Sequence, residues 1–181
     1  MRKGLSPTAA ALVVAALLTA TGAMAKEVRV DPGIAEEAPT LALVVFRKAP
    51  GGAQIMRGNY QSGLNEAGAA LANGYRDEAV LLTHMCAAQL KLGEFGAANE
   101  NCQAVLAKDL PVGFVVTSRR LFAAAHVNHG VVHFMQGDRE LAQHEFRRAK
   151  AVDPMLRAAT RNLAVARQPM RQPRVEVEQT L

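Results

Sequence analysis

The chain has no tryptophan and only two tyrosines, and alanine supplies much of its apolar content. That scarcity excludes a thick aromatic core and points to thin, close-packed helices. Enzymatic constellations are missing too. There is no phosphate-cradling glycine loop, no zinc-protease motif and no Gly-x-Ser-x-Gly turn. Ser62 and Ser118 stand in no recognisable nucleophile context, and Asp and Glu fall mostly at helix caps and surface positions. The expectation is a protein with no catalytic residues and no cofactor. No aromatic stacking platform accompanies its basic residues, which argues against a nucleic-acid partner. Long hydrophobic runs are scarce as well. The longest, residues 9–20, is too short to span about 30 Å of hydrocarbon.

That run does have the length of a signal-peptide core. Arg2 and Lys3 precede it, and Ala23-Met24-Ala25 supplies a small–x–small cleavage pattern behind it. Residues 1–25 therefore read as a signal peptide, with the mature chain starting at Lys26. The expected location is a Gram-negative periplasm, with secretion beyond it as the alternative. Of 181 residues this leaves 156, the size of one domain or a short repeat array. The segment carries two positive charges and no negative ones, so the net charge falls from +5 to about +3.

The most informative stretch is Gly130 to Pro154, GVVHFMQGDRELAQHEFRRAKAVDP. Gly130 lets two helices approach closely, and Gly137-Asp138 ends one helix and caps the next. Ala142, Phe146 and Ala149 share one face at helical spacing, and Pro154 closes the second helix. In this register the stretch resembles the tetratricopeptide repeat, a helix–turn–helix unit of about 34 residues. Similar wording recurs upstream. Residues 77–110 form one unit, with Cys86 in the place of Gly130, a turn at Gly93-Glu94-Phe95, and Ala98, Cys102 and Val105 on the inner face. Residues 53–76 look like a worn partial repeat, with its turn at Gly58-Asn59-Tyr60 and a first helix truncated by Pro50-Gly51-Gly52. The turns at Gly93 and Gly137 lie 44 residues apart, about ten more than the repeat, so an insert is placed at 111–118.

The resemblance implies an all-α fold: an α-solenoid of antiparallel helix hairpins. Repeat 119–154 is followed by a capping helix at 155–167 and a flexible tail at 168–181. Residues 26–52 form an extended N-terminal arm. Its LALVVF run (41–46) reads as either a strand or an irregular lead-in, packed on the first helices or paired with another chain.

Export makes a disulfide the default for two cysteines, and the repeat register places Cys86 and Cys102 on facing helices of one hairpin. Buried free thiols and a redox site are the alternatives. The family implies a binding module whose first helices hold a peptide on the concave side. The candidate contact residues are His84, Gln89 and Lys91 in one unit and Asn128, Val132 and Gln136 in the next. The repeat register puts His126, His129 and His133 where the family has large packing residues, so no metal is expected; sharing one helical face, they are still the best metal candidates in the chain. All three cannot reach one ion, because seven residues span about 10 Å of helix. Between Asp138 and Arg174 nine basic residues face four acidic ones. Among them, Arg147, Arg148, Lys150, Arg157 and Arg161 form either a solvated face or a cationic surface for an acidic peptide or for anionic headgroups of the envelope. The leading expectation is a periplasmic scaffold or adaptor that binds a protein or peptide partner. A structural envelope protein and a histidine-based metal binder are the alternatives, and the oligomeric state is left open.

Overall fold

Each helical hairpin turns at a glycine in the left-handed region, where a β-carbon would be strained: Gly58 at φ 84°, Gly93 at 81° and Gly137 at 92°. The computed structural model describes residues 39–108, 115–168 and 174–180. The expected signal peptide at 1–25, the arm up to residue 38, residues 109–110, residues 111–114 of the insert including Phe114, and residues 169–173 and 181 of the tail lie outside the described residues.

The described chain is mostly helical. A five-residue helix α1 (Gly52–Met56) is followed by α2 (Tyr60–Ala72), α3 (Glu78–Leu92), α4 (Phe95–Leu106), α5 (Val115–Met135), α6 (Arg139–Val152) and α7 (Arg157–Arg167). Consecutive helices pack on one another, so α1–α2, α3–α4 and α5–α6 form hairpins in series and α7 lies against α6. Asp138 caps α6, its carboxylate accepting from the Leu141 amide at 3.1 Å. Helix α5 starts at Val115 and so takes in residues 115–118, which the sequence assigned to the insert.

One crossing recurs in all three hairpins, between residues sixteen apart. In the third it is Gly130 against Phe146, where a β-carbon on Gly130 would come within 2.5 Å of the Phe146 ring. In the second, Cys86 and Cys102 are joined by a disulfide with their Cα atoms 5.5 Å apart. In the first, Gly51 faces Ala67, whose Cβ would lie 3.2 Å from a β-carbon on Gly51. Small against large, a covalent bond, and small against small are three ways of holding two helices close.

The fold is not wholly helical. Residues Thr40–Phe46 form strand β1 and Arg174–Thr180 form strand β2, paired in parallel with Thr40 opposite Arg174 and Phe46 opposite Thr180. This settles one open reading and corrects one expectation. The 41–46 run is a strand, packed on α3, α5 and α7 as well as on α1. The expected flexible tail contains the strand that partners it. Leu41, Ala42, Leu43, Val44 and Val45 are all fully buried. Leu41, Leu43 and Val45 join a core with Ile55, Leu90, Val131 and Phe146; Ala42 and Val44 face Val127, Ala149, Leu156 and Ala159. A strand covered on both faces has to be apolar throughout rather than alternating, and LALVV is.

Candidate functional site

A buried strand must satisfy the backbone groups on both its edges. β2 covers one edge of β1. The other faces helices, which have no free backbone to offer, and side chains take over the task. From α7, Asn162 accepts from the Ala42 amide at 2.8 Å and donates to the Ala42 carbonyl at 2.8 Å. From α5, Asn128 accepts from the Val44 amide at 2.7 Å and donates to the Val44 carbonyl at 2.9 Å. From α3, His84 Nε2 accepts from the Phe46 amide at 2.9 Å. Strand residues two apart thus meet side chains from α7, α5 and α3 in turn. Asn128 lies two residues before Gly130, as His84 lies two before Cys86. Asn162 follows Asn128 by 34 residues. Three polar side chains stand in for a missing strand.

The protonation of this ladder follows from its partners. The Phe46 amide can only donate, so His84 Nε2 carries the lone pair. Nδ1, 2.7 Å from the Pro50 carbonyl, carries the hydrogen. Burial lowers the His84 pKa below its ordinary value, against smaller upward effects from the Pro50 carbonyl and Glu66. The neutral ring is the only form that accepts from Phe46.

The residues expected to contact a peptide do not line an open groove. His84 and Asn128 hold β1, and Lys91 donates from Nζ to the Val175 carbonyl of β2 at 2.7 Å. Val132 is fully buried in the core, and Gln89 is buried with its side chain 2.6 Å from that of Asn101. Gln136 alone is exposed. Asn162 was missed because it sits in an alanine-rich helix read only as a cap. Its 34-residue spacing from Asn128 was the available signal.

The histidine face is engaged by side chains of the neighbouring helices. His126 Nδ1 donates to Glu145 Oε2 at 2.6 Å, and His129 Nδ1 stands 3.5 Å from the same oxygen, buried and without a hydrogen-bond partner. His129 Nε2 lies 2.9 Å from Asn99 Oδ1, and its ring is 4.3 Å from that of His133. Burial alone would raise the Glu145 pKa. The His126 hydrogen bond and the nearness of both rings outweigh it and hold the carboxyl well below the usual carboxylate range. The His133 pKa is lowered, first by burial and then by the His129 ring. Among the described residues no group of three or more His, Cys, Asp or Glu side chains is placed to hold a metal ion. These rings tie α5 to α6 and, through Asn99, to α4.

The basic residues Arg147, Arg148, Lys150, Arg157 and Arg161 are all exposed. They spread over α6 and α7, where Arg147 Nε donates to the Gln143 carbonyl at 3.1 Å and Arg161 pairs with Glu176 of β2 at 3.3 Å. No described helix is long and apolar enough to cross a membrane. The disulfide fits an oxidising compartment.

Comparison with protein families, curated proteins and solved structures returns no match.

Proposed function

We propose that the protein is a non-catalytic binding module of the tetratricopeptide type, exported to the periplasm, which contacts partner proteins by holding chain in extended form. One observation carries this reading: side chains from α3, α5 and α7 hydrogen-bond the N–H groups of a single extended strand, and those from α5 and α7 bond its C=O groups as well. Such recognition reads the backbone, so it needs extended conformation more than a particular sequence. Side-chain packing on either face of the strand then sets the preference. The disulfide between α3 and α4 supports export, since small helical arrays in oxidising compartments draw stability from such bridges.

Selection of a random peptide display library on the folded, disulfide-bonded protein tests the reading. Sequences of extended, alternating character should be enriched over those recovered on the reduced and heat-unfolded protein. Equal recovery on both would end the proposal.

A further inference from the structure

The two strands differ in how they are held. β1 is fixed on both edges and both faces, and its removal would orphan Asn162, Asn128 and His84 in the core. Among the described residues, β2 is held along one edge only, apart from the bond from Lys91 to the Val175 carbonyl. Arg174 and Glu176 are exposed, and Val175, Val177, Glu178 and Gln179 are half-buried; none of them reaches the burial of Leu41–Val45.

We infer that β2 is an exchangeable strand, and that the lane it fills beside β1 takes an extended segment of a partner protein, parallel to β1, in which aliphatic residues alternate with acidic ones. The inference rests on the binding-module reading and specifies its partner. Three features of the lane define that chemistry. Ala42, Val44 and Phe46 commit their amides to the helices, so by alternation Leu41, Leu43 and Val45 turn theirs toward the lane and offer a ready backbone edge. The floor is apolar, because Val175 and Val177 pack on the cluster containing Leu41, Leu43 and Val45. The rim is basic: Arg161 lies 3.3 Å from Glu176, and Lys91, seated 5.2 Å over the Tyr60 ring, points its ammonium at the strand's backbone. The native occupant, RVEVEQT, matches this pattern, with valine on the floor and glutamate against the arginine. A segment that enters as a parallel strand gains backbone bonds wherever it comes from, while floor and rim select its side chains.

The test uses the full chain carrying Val175→Asp and Val177→Asp, which weakens the native occupant, and two fluorescent probes. One is the peptide RVEVEQT; the other is RVKVKQT, with its acids reversed. The variant should bind the first probe at least tenfold more tightly than wild type does, and at least tenfold more tightly than it binds the second. Adding Arg161→Glu should narrow or reverse that preference. In the wild-type protein, amide exchange at Glu176 and Glu178 should run at least tenfold faster than at Ala42 and Val44, a readout that needs no substitution. Equal protection of the two strands overturns the inference. So does a folded variant that binds neither probe, or one that forms concentration-dependent dimers and ignores the probe, because the lane would then belong to a second copy. If display-selected peptides still bind while both probes fail, the lane assignment falls and the binding-module reading stands. If nothing binds, both fall.

Discussion

Asn128 answers both backbone groups of Val44, accepting from its amide at 2.7 Å and donating to its carbonyl at 2.9 Å, with both residues fully buried. An asparagine amide carries one acceptor and one donor side by side, the same pair that a neighbouring strand would present. Asn162 repeats the arrangement at Ala42 two helices further along, on α7. In this way a strand can lie among helices without leaving polar groups unpaired.

Truncation of Asn128 should therefore be costly. Asn128→Ala leaves a buried N–H and a buried C=O without partners and should lower stability by about 3 kcal/mol. Asn128→Asp should be at least as damaging, because a carboxylate cannot donate to the Val44 carbonyl and is itself buried. Denaturant unfolding of the two variants checks both values. Equal stability of Asn128→Ala and wild type would remove the ladder's energetic role.

His84 gives the strand a pH dependence. Its folded pKa is depressed, so the stability it contributes is fully present above the ordinary imidazole value of about 6.5. That stability declines as pH falls below this value and is lost once pH passes through the folded value. Protonation of Nε2 would set a donor against the Phe46 amide. Melting curves between pH 5 and 8, chosen as roughly the imidazole range, should show the loss in wild type. His84→Asn, which copies the residue at the equivalent place in α5, should keep the fold and flatten the profile.

Glu145 adds a second, more acidic window. Its depressed pKa means that its contribution is present above the ordinary carboxylate range and is lost as pH falls through the folded value. Glu145→Gln should cost about 2 kcal/mol near neutral pH, since it removes the charged partner of a buried hydrogen bond from His126. It should also weaken the acid dependence of unfolding. Chemical denaturation of both proteins at a series of acidic pH values measures the two effects together.

The crossings between paired helices should tolerate little. Reduction of the Cys86–Cys102 bridge, which closes a loop of 16 residues, should lower stability by roughly 3 kcal/mol. Gly130→Ala should cost about 1–3 kcal/mol, because the new methyl meets the Phe146 ring. Thermal melts under oxidising and reducing conditions, with and without the glycine substitution, give both numbers. An unchanged melting temperature for Gly130→Ala would mean that the helices do not approach as closely as described.

Local order was legible in the sequence wherever one residue determines one conformation. The turn glycines and the buried face Ala142–Phe146–Ala149 follow from helical geometry within a single hairpin, and the facing cysteines from the resemblance to a repeat. The sheet did not follow from such local rules. Arg174 pairs with Thr40 across most of the chain, and RVEVEQT carries charges that make it read as a solvated tail. Nothing local distinguishes a half-buried edge strand from a mobile segment. Glu145 was missed for a related reason: it lies on the helix facing His126 and His129, so no spacing within one helix could announce it. Asn128 was placed on the correct face with the wrong occupant in view, because the groove it lines is filled by the chain itself.

Amide hydrogen exchange at Val44, followed by NMR in wild type and in Asn128→Ala, tests most directly whether helix-borne side chains hold an extended strand. In wild type the Val44 amide should exchange as slowly as the slowest core helix amides, and the substitution should accelerate it selectively while the helices stay protected. Fast exchange at Val44 in the wild-type protein, or exchange that the substitution does not change, would contradict it.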